Sequence, residues 1–333
     1  MKNLIVINKS HNPWYNLSLE EYLLDKVTEY DHILFLWQNS NTVVIGKNQN
    51  PWRECRTELL ESEDGKLARR STGGGAVYHD LGNLNFSFIL ERSSQDFNLQ
   101  ARIIIQAVKK FGIEAYVNGR NDIVTEEGKF SGNAFTFRRN RALHHGTVLL
   151  DVDREKLGRY LQVSKEKMEA KGIKSVQSRI VNLREYNNDI TVDDLKISIV
   201  EAFEKEFGTC EIINEFDDPQ SLKEFVNQEE IDAIYDIYSS WDYRYGQAPR
   251  FDIEWVHRFA WGGIEIHLCL KNGIITQSRI FSDALDEPFI TSIQDCFNNV
   301  RFKKQDMIKA ISAKKSDSPM AHDIIEYIQS KEF

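Results

Sequence analysis

Short apolar runs dominate the first half of the chain. HILFLW (32–37), TVVIG (42–46) and the segment 84–90, in which every second residue is Leu or Phe, have the length and period of β-strands. A further strand is predicted at 75–79. The residues between 37 and 42 are typical of turns, so we predict that the first two strands form a hairpin.

Residues typical of helix ends predict the first two helices. Asn12 and Pro13 supply an N-cap and a first-turn proline, and apolar residues recur after them at helical spacing. Residues 97–111 have the same spacing and are followed by Gly112, which suits the end of a helix. The sequence therefore predicts a helix at each place.

Strands continue for another forty residues or so before the pattern becomes helical. We predict an extended segment at 114–118, a turn at E-E-G-K (126–129) between two strands, and a strand at 145–152. Thr191 and Asp194 resemble a capping box that opens a later helix.

A turn-prone stretch, WDYRYGQAPR (241–250), separates two regions of regular pattern. After it come three strand-like runs, joined by Gly262-Gly263 and Asn272-Gly273, and then short helices over 288–331. These patterns predict an α+β fold: a large domain of mixed and antiparallel sheets with flanking helices, and a small α+β domain. We place the two domains at residues 1–245 and 250–333.

Composition narrows the class of protein. The 42 Lys and Arg against 51 Asp and Glu give a net charge of -9, which argues against nucleic acid as the main partner. We find no signal-peptide pattern and no apolar stretch long enough to span a bilayer, so we expect a soluble, cytoplasmic protein without a membrane partner. The four cysteines form no C-x-x-C pair, and neither a zinc site nor a disulfide framework is indicated.

The densest chemical signal is RRSTGGGAVYHDLGNLNFSF (69–88). Three successive glycines before a strand let backbone N–H groups approach an anion, as in a phosphate-binding loop. A flexible hairpin turn is the alternative for a bare G-G-G. Arg69 and Arg70 favour the binding loop, because a guanidinium pair there puts positive charge where a phosphate would lie. The spacing fits neither the dinucleotide fingerprint nor a P-loop.

A second signal is GRNDIVTEEGKFSGNA (119–134). Asn121 and Asp122 end an extended segment where they could recognise a nucleobase or hold Mg²⁺, although the segment seen alone favours an Asx turn. Lys129 follows a turn glycine, where its ammonium could enter a shared pocket or simply lie in solvent. Ser131 lacks the G-x-S-x-G spacing of a hydrolase nucleophile.

Together these stretches resemble one family. NPWYNLSLEEYLL, LFLWQNSNTVVIGKNQNPWRE, the two signals above and HHGTVLL are similar, in order and spacing, to lipoate–protein ligase A. WDYRYGQAPRF and FAWGGIEIHL resemble the start of that family's C-terminal accessory domain. The resemblance runs from about residue 3 to about residue 285. It implies a catalytic domain related to biotin protein ligases and class II synthetases, with a small mobile accessory domain.

The resemblance also implies roles for individual residues. Lys129 corresponds to the family's lysine that touches both ATP and lipoate, and we expect it to be catalytic. Asp122 is a plausible Mg²⁺ ligand. The expected ATP-binding residues, besides Lys129, are Arg70, Gly75, Ala76, Val77, Tyr78, Asn121 and Asp122. The expected lipoate-binding residues, again besides Lys129, are Leu17, Trp37, His79 and His145.

For some of these side chains a structural role is the alternative to ligand binding. His79 and His145 could be core histidines with satisfied hydrogen bonds, and Trp37 could be ordinary core packing. We expect His144 at the surface or at a strand edge.

The implied activity is ATP-dependent conversion of lipoate to lipoyl-AMP and transfer to a carrier lysine, with release of AMP and pyrophosphate. ATP would be a substrate, Mg²⁺ would assist the reaction, and no cofactor would be permanently bound. The implied carriers are lipoyl domains of 2-oxoacid dehydrogenase E2 subunits and the glycine cleavage H protein. The rivals are an ATP-independent octanoyl or lipoyl transferase, which needs a nucleophilic cysteine at the site, a biotin ligase, and a non-catalytic lipoate- or nucleotide-binding protein.

Overall fold

The computed structural model describes residues 2–119, 121–162, 180–218, 220–245, 252–271, 273–315 and 317–331. The described strands are β1 Asn3–Ile7, β2 His32–Trp37, β3 Thr42–Ile45, β4 Lys66–Arg69, β5 Val77–His79, β6 Asn83–Glu91, β7 Tyr116–Asn118, β8 Asp122–Val124, β9 Lys129–Arg138, β10 Arg141–Leu149, β11 Cys210–Asn214, β12 Ile253–Phe259, β13 Gly262–Lys271 and β14 Ile274–Ser282. The described α-helices are α1 Pro13–Asp25, α2 Pro51–Glu54, α3 Thr57–Ser62, α4 Phe97–Lys109, α5 Arg154–Tyr160, α6 Val192–Phe207, α7 Ser221–Phe225, α8 Gln228–Ser239, α9 Trp241–Arg244, α10 Glu287–Cys296, α11 Lys304–Lys315 and α12 Pro319–Ser330.

The largest sheet has the order β11-β1-β2-β6-β10-β9-β8-β7. Its first two pairings are parallel and the rest are antiparallel. β2 lies inside this sheet, which explains its unbroken apolar sequence: Leu34 and Leu36 enter the core on one face, while Phe35 and Trp37 enter the core on the other.

Helices cover both faces of this sheet. α4 and α6 pack on the face of Leu34, where their apolar stripes meet Phe86 and Phe88 of β6. α1 and α8 pack on the opposite face. α1 begins where the sequence predicted, with the Asn12 side chain accepting hydrogen bonds from the first-turn N–H groups. The strongly buried sheet therefore holds the side chains on its two faces in a rigid frame.

A three-stranded sheet of order β4-β3-β5 lies beside the large one. β3 pairs with β4 in parallel and with β5 in antiparallel fashion. Its outer face packs against α3 and α5 around Tyr78 and Tyr160. This small sheet carries the glycine-rich segment, because residues 70–76 connect β4 to β5.

The C-terminal part has its own apolar core. The antiparallel strands β12, β13 and β14 pack against α10, α11 and α12 through residues such as Ile266, Phe297 and Ile324. Within the described residues, no helix is long and apolar enough to cross a membrane.

Most of the elements predicted from the sequence are present, but the predicted hairpin of 32–37 with 42–46 is wrong. β2 pairs with β1 and β6, whereas β3 belongs to the small sheet. The turn residues do reverse the chain, with Asn41 at φ 38°, but they carry it from one sheet to the other. Part of the predicted boundary stretch, residues 246–250, lies outside the described residues, as does Asn272 of the last turn.

Candidate active site

The floor of a cleft is formed by side chains that the strand register aligns across the large sheet. Trp37 of β2 lies opposite Asn85 of β6, which lies opposite Thr147 of β10. In the next row Ser87 of β6 pairs with His145 of β10. All five side chains lie on the face that α1 covers, because residues two apart on a strand point the same way.

The cleft lies between this floor and the small sheet. It encloses about 670 Å³, counted with the part that is open to solvent, which is ample for a nucleotide or a small acid. It is lined by residues of α1, β2, the small sheet with its glycine segment, β6, β9 and β10, and by Asn121 just before β8: Leu17, Trp37, Val44, Arg70, Gly74, Gly75, Ala76, Val77, His79, Asn85, Asn121, Lys129, Gly132, Asn133, Ala134, His145, Gly146 and Thr147.

The three glycines differ in what they need. Gly74 has a positive φ of 87°, which L side chains rarely adopt. Gly73 needs space, because a Cβ there would lie 2.3 Å from the Ala284 carbonyl oxygen. Gly75 has nothing within 4 Å of its Cβ position and borders the cleft. The Gly74 N–H donates to the Ala284 carbonyl at 3.0 Å, so the segment after β14 lies directly against the loop.

Arg70 gives the loop its shape. Its buried guanidinium donates to the carbonyls of Gly73 (2.7 Å) and Gly75 (2.8 Å) and to the Thr72 hydroxyl (3.0 Å). It also borders the cleft, so its charge lies beside any anion bound there.

Arg69 corrects the expectation of a guanidinium pair at the anion. Its side chain donates to backbone carbonyls on the other side of β4, including those of Gln49 and Tyr243, both at 2.8 Å. Neighbours on a strand point to opposite faces, so one arginine reaches the cleft and the other does not.

Lys129 enters the cleft from the start of β9. Its ammonium pairs with the Asp122 carboxylate of β8 at 2.6 Å, and its side chain is 25% exposed. Gly132 leaves room for it, because a Cβ on Gly132 would lie 2.9 Å from Nζ. The ammonium and the glycine loop therefore face the same space, as the sequence signals suggested.

Asn121, just before β8, is joined to Asn133 of β9 by side-chain hydrogen bonds. The Asn121 amide donates to the Asn133 carbonyl at 2.7 Å, and the Asn133 amide donates back to the Asn121 carbonyl at 2.9 Å. Asn133 Oδ1 lies 2.8 Å from a ring nitrogen of His144. The expectation that His144 lies at the surface is wrong: it is fully buried, and its other ring nitrogen contacts Gln100.

The two histidines of the cleft have different hydrogen bonds. Both ring nitrogens of His145 are engaged, Nδ1 with the Glu20 carboxylate at 2.9 Å and Nε2 with the Thr72 hydroxyl at 2.8 Å. His79 has one nitrogen engaged, Nδ1 with the Asn39 amide at 3.2 Å, while Nε2 has no partner among the described residues. Burial lowers the pKa of His79 to about 3, with help from the charges of Arg70 and His145.

Most residues predicted for the site line this one cleft. Two differ. The Tyr78 side chain points into the core of the small sheet, where its hydroxyl donates to Asn41, so only its backbone can serve the cleft. Asp122 reaches the cleft through its ion pair with Lys129. The predicted residues that line the cleft are Leu17, Trp37, Arg70, Gly75, Ala76, Val77, His79, Asn121, Lys129 and His145.

Three polar residues that line the cleft were not predicted from the sequence: Asn85, Asn133 and Thr147. Glu20 was not predicted either. It is almost fully buried on α1, where it accepts hydrogen bonds from His145 and, at 2.5 Å, from Ser87. A possible signal was present for Glu20, since a carboxylate in the middle of an apolar helix face needs a buried partner.

None of the four cysteines lines the cleft formed by the described residues. Cys55 packs in the core of the small sheet, and burial raises the pKa of its thiol to about 12. Burial also raises the pKa of Cys210 to about 11. A high pKa leaves little thiolate at neutral pH, so these thiols are poor nucleophiles.

Two family models and a related protein match most of the chain. The model of the lipoyl protein ligase A/B catalytic domain matches residues 12–204, and that of the bacterial lipoate protein ligase C-terminus matches residues 248–328. A lipoate-protein ligase A of Psychrobacter cryohalolentis is 40% identical over 327 residues, which is 97% of this chain and 94% of that protein.

Solved structures share the fold. LipL1 of P. falciparum, in complex with lipoate, superposes with a TM-score of 0.87 at 31% identity over 99% of this chain and 100% of that one. A lipoate-protein ligase A bound with ATP gives a TM-score of 0.61 at 23% identity, covering 74% of this chain and 99% of that one.

These matches define an enzyme class, the protein ligases that use lipoate. Within it, the chain belongs to the lipoate-protein ligase A family.

Proposed function

We propose that this chain activates lipoate with ATP to give lipoyl-AMP and then transfers the lipoyl group to the ε-amine of a carrier lysine. The supporting observation is the single cleft in which the glycine loop, Arg70 and Lys129 face one another beside an apolar inner end. The relatives named above are lipoate-protein ligases, and one is solved with lipoate and another with ATP.

The first step forms a mixed anhydride. A lipoate carboxylate oxygen attacks the α-phosphorus of ATP, the bond to the β-phosphate oxygen breaks, and pyrophosphate leaves. Negative charge gathers on the oxygens around the α-phosphorus. The Lys129 ammonium can contact these oxygens and offset their charge, while Arg70, whose donors are held by loop carbonyls, adds its charge from the wall of the cleft.

The second step makes the amide. The neutral amine of the carrier lysine attacks the acyl carbon of lipoyl-AMP, AMP leaves with the bonding pair, and the amine loses a proton to solvent. The tetrahedral oxyanion stays within the reach of Lys129, whose ammonium does not need to move between the steps.

The two substrates divide the cleft by polarity. We propose that ATP lies along residues 74–78 and Asn121, where backbone N–H groups and polar side chains border the open part. We propose that the lipoyl chain lies against Leu17 and Trp37, which are buried and apolar. Tyr78 would contribute through its backbone alone.

Mg²⁺ fits this site in a limited way. Asp122 offers one carboxylate beside Lys129, and no group of three His, Cys, Asp or Glu suited to a metal occurs within the described parts of the chain. Such a site suits Mg²⁺ held mainly by substrate phosphates and one carboxylate. The ion would neutralise phosphate charge.

We also propose which part of the chain forms each domain. Residues 1–245 would form the catalytic domain and residues 250–333 the accessory domain, supported by the separate apolar core of β12–β14 and α10–α12. The proposed carriers are the lipoyl domains of 2-oxoacid dehydrogenase E2 subunits and the glycine cleavage H protein, and the proposed compartment is the cytoplasm.

The test is lipoate-dependent exchange of labelled pyrophosphate into ATP. Exchange requires reversible formation of lipoyl-AMP, so we expect it with lipoate and not with biotin. Exchange only with biotin would identify a biotin ligase. Lipoyl transfer without any exchange would support a thioester route, although the buried Cys55 makes a poor nucleophile. No exchange and no transfer would leave a binding protein.

A further inference from the structure

His79 has a defined protonation state. Its ring is 4% exposed, and its pKa is lowered to about 3 by burial, so the ring is neutral and carries one N–H. Nδ1 lies 3.2 Å from the Asn39 amide nitrogen. Which ring nitrogen carries the hydrogen depends on how Asn39 is oriented.

A chain of amides fixes that orientation. The Asn16 side-chain nitrogen donates to two backbone carbonyls, those of Ser10 (3.0 Å) and Gln38 (2.8 Å), so it cannot be exchanged with its oxygen. The same nitrogen lies 2.9 Å from Asn39 Oδ1, so one of its two hydrogens is shared between two acceptors. Exchange of the Asn39 oxygen and nitrogen would set two NH₂ groups against each other, which excludes that orientation. Asn39 therefore presents its NH₂ group to His79.

The consequence is a hydrogen-bond donor at the cleft. Nδ1 of His79 accepts from Asn39, so the ring hydrogen is on Nε2. Nε2 is buried and has no partner among the described residues, and His79 lines the cleft. An unpaired N–H in such a place is costly unless a ligand or water accepts it.

The Nε2–H group of His79 lies at the inner, buried end of the cleft. The reacting carboxylate has to be near Lys129, whose side chain and ion-pair partner Asp122 are 25% and 30% exposed. His79 and Trp37 are almost fully buried. Their rings pack edge to face, with 6.3 Å between the ring centroids. The far end of the acid therefore reaches His79. Asn85, opposite Trp37, has a second unpaired amide nitrogen there.

We propose that His79 is a specificity-determining residue whose Nε2–H donates to a sulfur of the dithiolane ring, with Asn39 and Asn16 as positioning residues that fix its tautomer. The proposal rests on the function proposed above and extends it to substrate choice. Sulfur is a weak acceptor, but a hydrocarbon is none. An acid of the same shape without sulfur leaves the donor unpaired, and the enzyme discriminates against it.

The substrate side of the test changes only the ring. Pyrophosphate exchange is measured for the unmodified protein with lipoate and with its carbocyclic analogue, in which a cyclopentyl ring replaces the dithiolane. We expect kcat/KM to favour lipoate by about tenfold or more. Octanoate serves as a second sulfur-free acid. Equal kcat/KM for lipoate and the carbocyclic acid would overturn the proposal.

Variants of His79 distinguish the effect of its hydrogen bond from the effect of its packing. His79→Leu removes the donor, whereas His79→Gln places an amide N–H near the position of Nε2. We expect the Leu variant to lose most of the preference for lipoate over the carbocyclic acid and the Gln variant to keep it. His322→Gln, at an exposed position of α12, is the control and keeps both values. A Leu variant with an unchanged preference, or a Gln variant that behaves like Leu, would contradict a role for the N–H.

A third variant tests the positioning residue without touching the ring. Asn39→Leu removes the donor to Nδ1 of His79, so the ring hydrogen is no longer confined to Nε2. We expect the ratio of kcat/KM for lipoate to that for the carbocyclic acid to decrease. The KM for ATP should be unchanged. An unchanged preference would remove Asn39 from the proposal. If the unmodified protein shows no exchange with lipoate at all, the proposed function itself fails, which is distinct from exchange that does not distinguish the two acids.

Discussion

Among single residues, Lys129 is central to the proposed chemistry, and its neighbours hold it in place. Asp122 pairs with its ammonium at 2.6 Å, and Gly132 leaves the space it occupies. The ammonium is thus fixed toward the glycine loop before any substrate binds. Groups fixed in advance stabilise developing charge without reorganisation, which is why enzymes use them.

Removal of this ammonium should slow both steps. For Lys129→Ala we expect a loss of about 3 kcal/mol or more of transition-state stabilisation, a hundredfold or more in kcat/KM, by analogy with oxyanion donors. Pyrophosphate exchange and lipoyl transfer from added lipoyl-AMP are measured separately. Lys109→Ala, at an exposed position of α4, is the control. Near-normal turnover would exclude Lys129 from the mechanism.

A smaller change tests the position of the same ammonium. In Gly132→Ala the new Cβ would lie 2.9 Å from Nζ, so the flexible end of Lys129 has to move. We expect kcat to fall about tenfold or more with little change in the thermal midpoint. Gly158→Ala has nothing within 4 Å of its Cβ position and should keep full activity. A Gly132→Ala enzyme as active as the control would show that the position of Nζ is not critical.

Single-residue roles could be predicted from the sequence only in part. The motifs brought Lys129, Arg70 and both histidines to attention, but not the difference between His79 and His145. That difference depends on Asn39 and Glu20, which are 40 and 125 positions away from their histidines. Such partners come together only through the sheet register, which local patterns do not contain.

At the scale of elements, the glycine segment between β4 and β5 has two sides. Gly73 and Gly74 face the segment after β14, where Ala284 accepts the Gly74 N–H, and Gly75 borders the cleft. The loop is therefore part of the packing between the two sequence-defined regions as well as part of the site.

This arrangement predicts different effects for neighbouring glycines. Gly73→Ala brings a Cβ to 2.3 Å from the Ala284 carbonyl, so we expect it to lose about 1–3 kcal/mol of unfolding free energy. Gly75→Ala meets nothing within 4 Å and should keep its stability, and because its methyl group enters the cleft we expect a change in ligand affinity alone. Urea unfolding of the two variants is compared. Equal midpoints would show that the Ala284 contact does not resist the added methyl group.

The elements were easier to predict than their pairing. Asn12 and Pro13 mark the start of α1, and Gly112 follows the end of α4 with a φ of 80°. Residues 37–42 looked like a hairpin turn, yet β2 and β3 belong to different sheets. Capping and turn preferences are local and can be read from neighbours, whereas the partner of a strand depends on distant residues.

At the scale of the whole molecule, buried neutral histidines link stability to pH. The pKa of His79 is lowered from 6.5 to about 3, so in the folded protein it stays neutral where the unfolded chain is protonated. The unfolded state then binds more protons, and the free energy of unfolding falls as the pH falls from about 6.5 toward 3. The pKa of His144 is lowered in the same direction.

This linkage predicts a flatter pH profile for His79→Leu. One such histidine contributes up to about 1.4 kcal/mol per pH unit in this window. Urea unfolding between pH 7 and about 4.5 should therefore show a smaller decline for His79→Leu than for the unmodified protein, while the exposed His322→Gln matches the unmodified protein. A His79→Leu slope equal to that of the unmodified protein would mean that His79 is protonated in the folded state.

One cleft, we propose, converts lipoate and ATP into a lipoylated carrier. The most direct measurement incubates the protein with lipoate, ATP and a purified lipoyl domain, and follows the intact mass of the domain together with the nucleotide products. We expect one lipoyl group on a single lysine of the domain and one AMP for each group attached. An unmodified domain, or the formation of ADP instead of AMP, would contradict it.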